Sequence, residues 1–214
     1  MDDYHPFPMG LLGLFLIAVT AWLVIGCVAL TRHAKRPPGG AAGRALAAGA
    51  PIDPSEVGLN WEQWSLRTRD GLDLPVWDIT GEGESGVVLL IHDWSEAPLT
   101  MLDRAGELVP HVQRIVVPCL RGHDGAAGAC SLGPAEQRDV SDLLEVLGEE
   151  DVTLEGAGFA GLIAEALRGN AHVCKVCVSE PWSGAGDALR RIARKRGVPA
   201  FPIATLVSMF GIAR

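Results

Sequence analysis

Residues 152–167 read VTLEGAGFAGLIAEAL. An apolar run gives way to Gly156-Ala157-Gly158-Phe159-Ala160-Gly161 and then to a helical pattern. The order is strand, tight turn, helix, and two kinds of site share it. In one, glycines let backbone N–H groups at a helix start cradle a phosphate. In the other, a sharp strand-to-helix turn lifts the side chain of its middle residue above the sheet as a nucleophile. The middle residue here is Gly158, which has no side chain to offer.

Working outward, residues 87–91 form a continuous apolar run, the mark of a strand buried on both faces, and His92-Asp93-Trp94 closes it. Alternating stretches at 62–70 and 72–80 flank Asp70-Gly71, a hairpin turn signal. Residues 98–109 are helical in pattern and Pro110 stops them. A strand over 114–120 leads into Arg121-Gly122-His123-Asp124-Gly125. Pro134 opens a helix whose buried stripe is Val140, Leu143, Leu144 and Leu147. After the opening stretch, Gly169-Asn170 is a stop, and a strand over 173–178 ends in Ser179-Glu180-Pro181. A hairpin followed by strand–helix units predicts an α/β fold, a mostly parallel sheet with helices on both faces. Ligands of such sheets bind outside the carboxyl ends of the strands. The site loops are therefore HDWSEAP, RGHDG, GAGFAG and SEPW.

Charge excludes one function class. Of 214 residues, 24 acidic and 8 basic ones lie between Asp53 and Asp187, a local balance of −16 where nucleic-acid binding needs the opposite sign. The five cysteines are odd in number and irregularly spaced, so they form no disulfide framework. Cys174 and Cys177 make a CxxC, but three residues apart on a strand they point to opposite faces and read as core thiols.

From Met9 to Leu30 there is no charge for 22 residues, enough to span about 30 Å of hydrocarbon. Tyr4 and Phe7 fall where an interfacial belt would be, and the acidic start argues against a cleavable signal peptide. Arg32, Lys35 and Arg36 follow the span, which predicts an N-terminus outside and the rest of the chain in the cytoplasm. The expected domains are an extracytoplasmic 1–8, a transmembrane helix 9–30, a basic flank and flexible Pro/Gly/Ala-rich linker 31–58, an α/β domain 59–182, and a tail 183–214.

The loops together resemble the α/β-hydrolase family in its esterase, lipase and lysophospholipase branches. The likeness runs from Trp61 to Trp182 and rests on the order and spacing of three motifs. A strand ending in a His-Gly-aromatic loop resembles 89–94, with Asp93 in place of the glycine. A strand followed by Arg-Gly-His-Gly resembles Arg121, Gly122 and His123, with Asp124 in place of the last glycine. The nucleophile elbow then falls on Gly156 to Gly161. The resemblance implies that the backbone N–H groups of Trp94 and Phe159 hold oxyanion-hole positions, Gly158 the nucleophile position and Glu180 an acid position. It implies architectural roles for His92 and His123. It also implies a catalytic histidine after the last strand, which this chain does not reach, and makes 183–214 the start of an incomplete lid. With Gly158 at the elbow, the expectation is a catalytically inactive relative of serine esterases.

Two alternatives stay open on the residues. Gly156, Gly158 and Gly161 match G-x-G-x-x-G in full, with Glu180 19 residues beyond Gly161, as in a Rossmann-type site for FAD or NAD. A non-enzymatic, membrane-anchored interaction module is the other. No metal site is expected. The bilayer is the expected partner of residues 9–30, and the basic cluster from Arg190 to Arg196 could touch anionic lipid.

Overall fold

Alternation on either side of Asp70-Gly71 folds into an antiparallel hairpin in the computed structural model, which describes residues 9–148 and 151–210. The hairpin strands are β1 (Trp61–Arg67) and β2 (Asp73–Thr80). Gly71 turns the corner at φ +84, a conformation that costs glycine little. The apolar run becomes β3 (Val87–Ile91), buried at all five residues. With β4 (Arg114–Pro118), β5 (Val152–Ala157) and β6 (Val173–Ser179) it completes a six-stranded mixed sheet, ordered β1-β2-β4-β3-β5-β6. The β2–β4 pair is antiparallel; β4, β3, β5 and β6 run parallel.

Strand periodicity of two sorts the core into two faces. Val88 and Leu90 of β3 join Ile79, Ile115 and Val117 under α3 (Leu102–Leu108). Leu89 and Ile91 join Val116, Leu154 and the apolar stripes of α4 (Pro134–Leu147) and α5 (Gly158–Ala166) on the other face. Helices therefore cover both faces, as expected. The helix start at Pro134 is tied by a fully buried carboxylate: Glu136 accepts from Ser131 N at 2.7 Å and Gly133 N at 2.9 Å.

The N-terminal apolar run forms α1 (Met9–Lys35), five residues longer than the uncharged stretch, because nothing helix-breaking precedes Pro37. It is long and apolar enough to cross a membrane, and none of its apolar window is buried. Its last turns are different. Leu30 and Ala34 have no exposure and belong to the main core, and Gly26 lets Ile203 approach so closely that a Cβ would sit 2.5 Å from its Cδ1.

The flexible linker expected over 31–58 is corrected. It holds α2 (Ala41–Ala48), with Ala41 and Ala45 buried, and a 3-10 turn at Pro54–Val57 capped by Asp53. Cys130 N donates to Lys35 O (2.8 Å), Ser95 Oγ to Pro38 O (3.3 Å), and Gly40 and Ala41 N to Asp124 Oδ1 (3.0 and 3.2 Å). Composition suggested freedom, but small side chains also permit close docking. The tail forms α6 (Ala185–Lys195), a turn at Ala200–Ala204 and α7 (Thr205–Phe210), all packed on α1. The expectations for Tyr4, Phe7 and the rest of 1–8, and for residues 211–214 of the tail, lie outside the described residues.

Candidate active site

Gly158 follows β5 directly and opens α5 at φ +57, the backbone of a sharp strand-to-helix turn. Gly156 makes room for the crossing: a Cβ there would meet Ala160 Cβ at 2.7 Å. A Cβ on Gly161 would press on Pro181 at 3.1 Å, so these glycines serve helix packing.

The loop after β3 brings Asp93 onto this turn. Asp93 Oδ1 accepts from Trp94 N (2.8 Å) and from Phe159 N (2.7 Å), 66 residues away in sequence. The two N–H groups singled out by sequence thus converge on one point, and a carboxylate oxygen of the same chain occupies it. The other oxygen, Oδ2, lies 2.7 Å from where a Cβ of residue 158 would stand. The N-cap of α5 is Ala157, which has no acceptor of its own. Asp93 supplies the missing cap and puts a negative charge on the positive end of the helix.

The same carboxylate bears on the dinucleotide reading. A pyrophosphate on this turn would need the Phe159 amide that Asp93 already holds, and would meet its charge.

Both histidines of the site loops are structural in their bonding. His92 is fully buried; Leu120 N donates to its Nε2 (3.0 Å) and its Nδ1 contacts Asp93 O (3.0 Å). Desolvation, and then the neighbouring His123, hold its pKa down to about 3, so it is neutral at physiological pH. His123, buried against Phe159 and His92, has its Nδ1 on Arg121 O (2.9 Å), and burial lowers its pKa. Its Nε2 has no partner among the described residues. Arg121 forks between Asp139, buried, and Asp70 (2.9 and 3.1 Å), pinning the loop after β4 to the β1–β2 hairpin and to α4. Gly122 is required there: at φ +71, a Cβ would lie 2.7 Å from Cys130 N.

Glu180 follows β6 at φ +46 with its side chain exposed. It lines a 480 Å³ cleft with Asp93, Gly158 and Trp182. Arg191, Arg194 and Lys195, three of the five basic residues from Arg190 to Arg196, line it too. A second cleft of 460 Å³ opens on the α3 side of Asp93, beside Arg104 and Glu155, which pair at 2.6 Å. Ser95 Oγ is bonded to Pro38 O, and half-buried His172 sits before β6, at the far end of the strand from the loop carrying Glu180. Sequence reasoning saw the departures at Asp93 and Gly158 separately and missed their contact. Two departures falling on loops that meet was the available signal.

No protein-family model and no curated protein sequence matches the chain. Solved structures do. The Pyrococcus furiosus esterase Pf2001 aligns over 69% of this chain and 58% of its own at TM-score 0.58 and 16% identity. An esterase from Exiguobacterium antarcticum aligns over 57% of this chain and 46% of its own at TM-score 0.51 and 19% identity. The chain thus spans about half the length of these two structures. The domain has the α/β-hydrolase fold.

Proposed function

We propose that this chain is an α/β-hydrolase-fold protein anchored in a membrane by α1, acting as a binding or interaction module without hydrolytic turnover. One observation carries the reading: the Asp93 carboxylate sits on both amides that an acyl oxyanion would need, beside a turn with no nucleophile. In this reading Trp94 and Phe159 hold the oxyanion-hole positions, Gly158 the nucleophile position and Glu180 the position of a triad acid. A hole of that kind accelerates acyl transfer by stabilising developing negative charge, each donor contributing about 10²–10³ in rate. Occupied by a carboxylate, it repels the charge it once favoured. His92 is bonded at both ring nitrogens and His123 is fully buried, so neither histidine reaches the cleft as a base. The positive flank Arg32, Lys35 and Arg36 supports a cytoplasmic domain.

The test is p-nitrophenyl ester hydrolysis by the purified full chain, with heat-denatured protein as background. No turnover above background is expected. Turnover that is lost on denaturation would overturn the proposal. Orientation is read separately by labelling Cys174, exposed in the structure where the sequence suggested a core thiol, with an impermeant maleimide in sealed spheroplasts, where a cytoplasmic domain stays unlabelled until lysis.

A further inference from the structure

A groove of 490 Å³ runs between the second half of α1 and the last helix, α7. Leu23, Val24, Cys27 and Val28 form one wall, and Leu206, Val207 and Phe210 the other. Thr31 and Arg32 close one end. From Leu23 to Arg32 the wall rises about 14 Å, close to half of a ~30 Å hydrocarbon core. Its polarity is graded: apolar for two turns, then a hydroxyl and a guanidinium.

The surroundings continue that surface. Val24 and Val28 are exposed in series with Leu11, Leu14, Phe15 and Ile17 along α1. On the other side of the groove Phe201, Met209 and Phe210 are 79%, 72% and 83% exposed. Soluble surfaces rarely gather this much apolar area in one place. The Arg32 side chain is exposed and has no hydrogen bond or ion pair among the described residues.

We propose that this groove is a lipid site, holding one acyl chain of a bilayer phospholipid with its anionic headgroup at Arg32. It rests on the reading of α1 as a membrane helix and adds that α7 lies in the same leaflet beside it. Continuity with the exposed face of α1 and the tail-then-phosphate polarity both point to this occupant.

The experiment reconstitutes the full chain in phosphatidylcholine vesicles doped with phosphatidylglycerol carrying an acyl-chain diazirine. Labelled residues are mapped by mass spectrometry after illumination. Adducts are expected on Leu206, Met209 or Phe210 as well as on the Leu11–Ile17 turn of α1. Arg32→Gln should lower the α7 adducts about fivefold, one arginine's preference for anionic lipid, and leave the Leu11–Ile17 adducts unchanged. Adducts on α1 alone would overturn the lipid groove while leaving the membrane helix standing. No lipid adduct anywhere would overturn both. A disulfide-linked dimer between Phe210→Cys of one copy and Cys27 of another, formed when copper-phenanthroline oxidises the same vesicles, would replace the lipid by a dimer.

Discussion

A Cβ on residue 158 would meet Asp93 Oδ1, Oδ2 and Cγ at 2.7–2.9 Å, so glycine at the elbow and aspartate in the neighbouring loop form one unit. Gly158→Ser adds that clash to a backbone at φ +57 and should cost about 1–3 kcal/mol. Asp93→Gly alone loses the cap of α5, about 1 kcal/mol. Together the two changes should cost clearly less than their sum, because Asp93→Gly removes what the serine strikes. Urea midpoints of the four proteins measure the coupling, and strict additivity would contradict the contact. The double variant should still hydrolyse no p-nitrophenyl ester, since among the described residues no histidine lines the cleft beside residue 158. His92 makes a second prediction. Its folded pKa of about 3 lies below its ordinary 6.5, so between those values the unfolded chain binds the extra proton. Stability from keeping His92 neutral is thus intact above pH 6.5 and drains away as pH falls toward 3, by at most ~1.4 kcal/mol per unit. His123, lowered by burial, acts in the same direction. Thermal unfolding from pH 7.5 to 4.5 should show this slope, and a flat profile would refute it. The sequence showed both Asp93 and Gly158 as departures. It could not show that they touch, because 65 residues of chain separate them and only the crossing of two loops joins them.

At the scale of elements, the strands were legible because burial on two faces leaves unbroken apolar runs and burial on one leaves alternation. The span of α4 from Pro134 follows from those patterns and a proline, whereas the place of β3 between β4 and β5 does not. The segment 31–58 was not legible. Its alanines and glycines lack amphipathic contrast, yet Ala41 and Ala45 are buried by shape alone. The loop after β4 depends on Arg121, whose removal leaves Asp139 buried without a counter-charge. Arg121→Gln should therefore cost about 3–5 kcal/mol. A change below ~1 kcal/mol in chemical unfolding would mean the pair is not held as described. The capped start of α5 also makes a forecast. With the Phe159 amide of its first turn engaged by Asp93, NAD added to the full chain should leave the melting temperature unchanged, and a dose-dependent rise would revive the dinucleotide reading.

Across the whole molecule, the apolar N-terminal run announced a membrane-length helix, but its second role was hidden by its uniformity. No sequence period distinguishes the residues of α1 that face outward from Leu30 and Ala34, which enter the core against α6 and the turn at Ala200–Ala204. Chains starting at residue 29 and at residue 37 should thus differ. The shorter one loses a fully buried leucine and opens the α6 side of the core, for about 2–5 kcal/mol by analogy with Leu→Ala truncation. Equal melting temperatures would show that the last turns of α1 contribute nothing to the fold.

Because α1 runs unbroken from Met9 to Lys35 and its end is gripped by the core, the domain has no swivel. It is keyed to the helix like a blade to its shaft. One residue inserted between the outer turns and Gly26 would rotate the domain by about 100° and raise it about 1.5 Å relative to whatever holds the outer turns. The direction in which the Asp93 cleft faces is thus encoded in the length of α1, counted residue by residue.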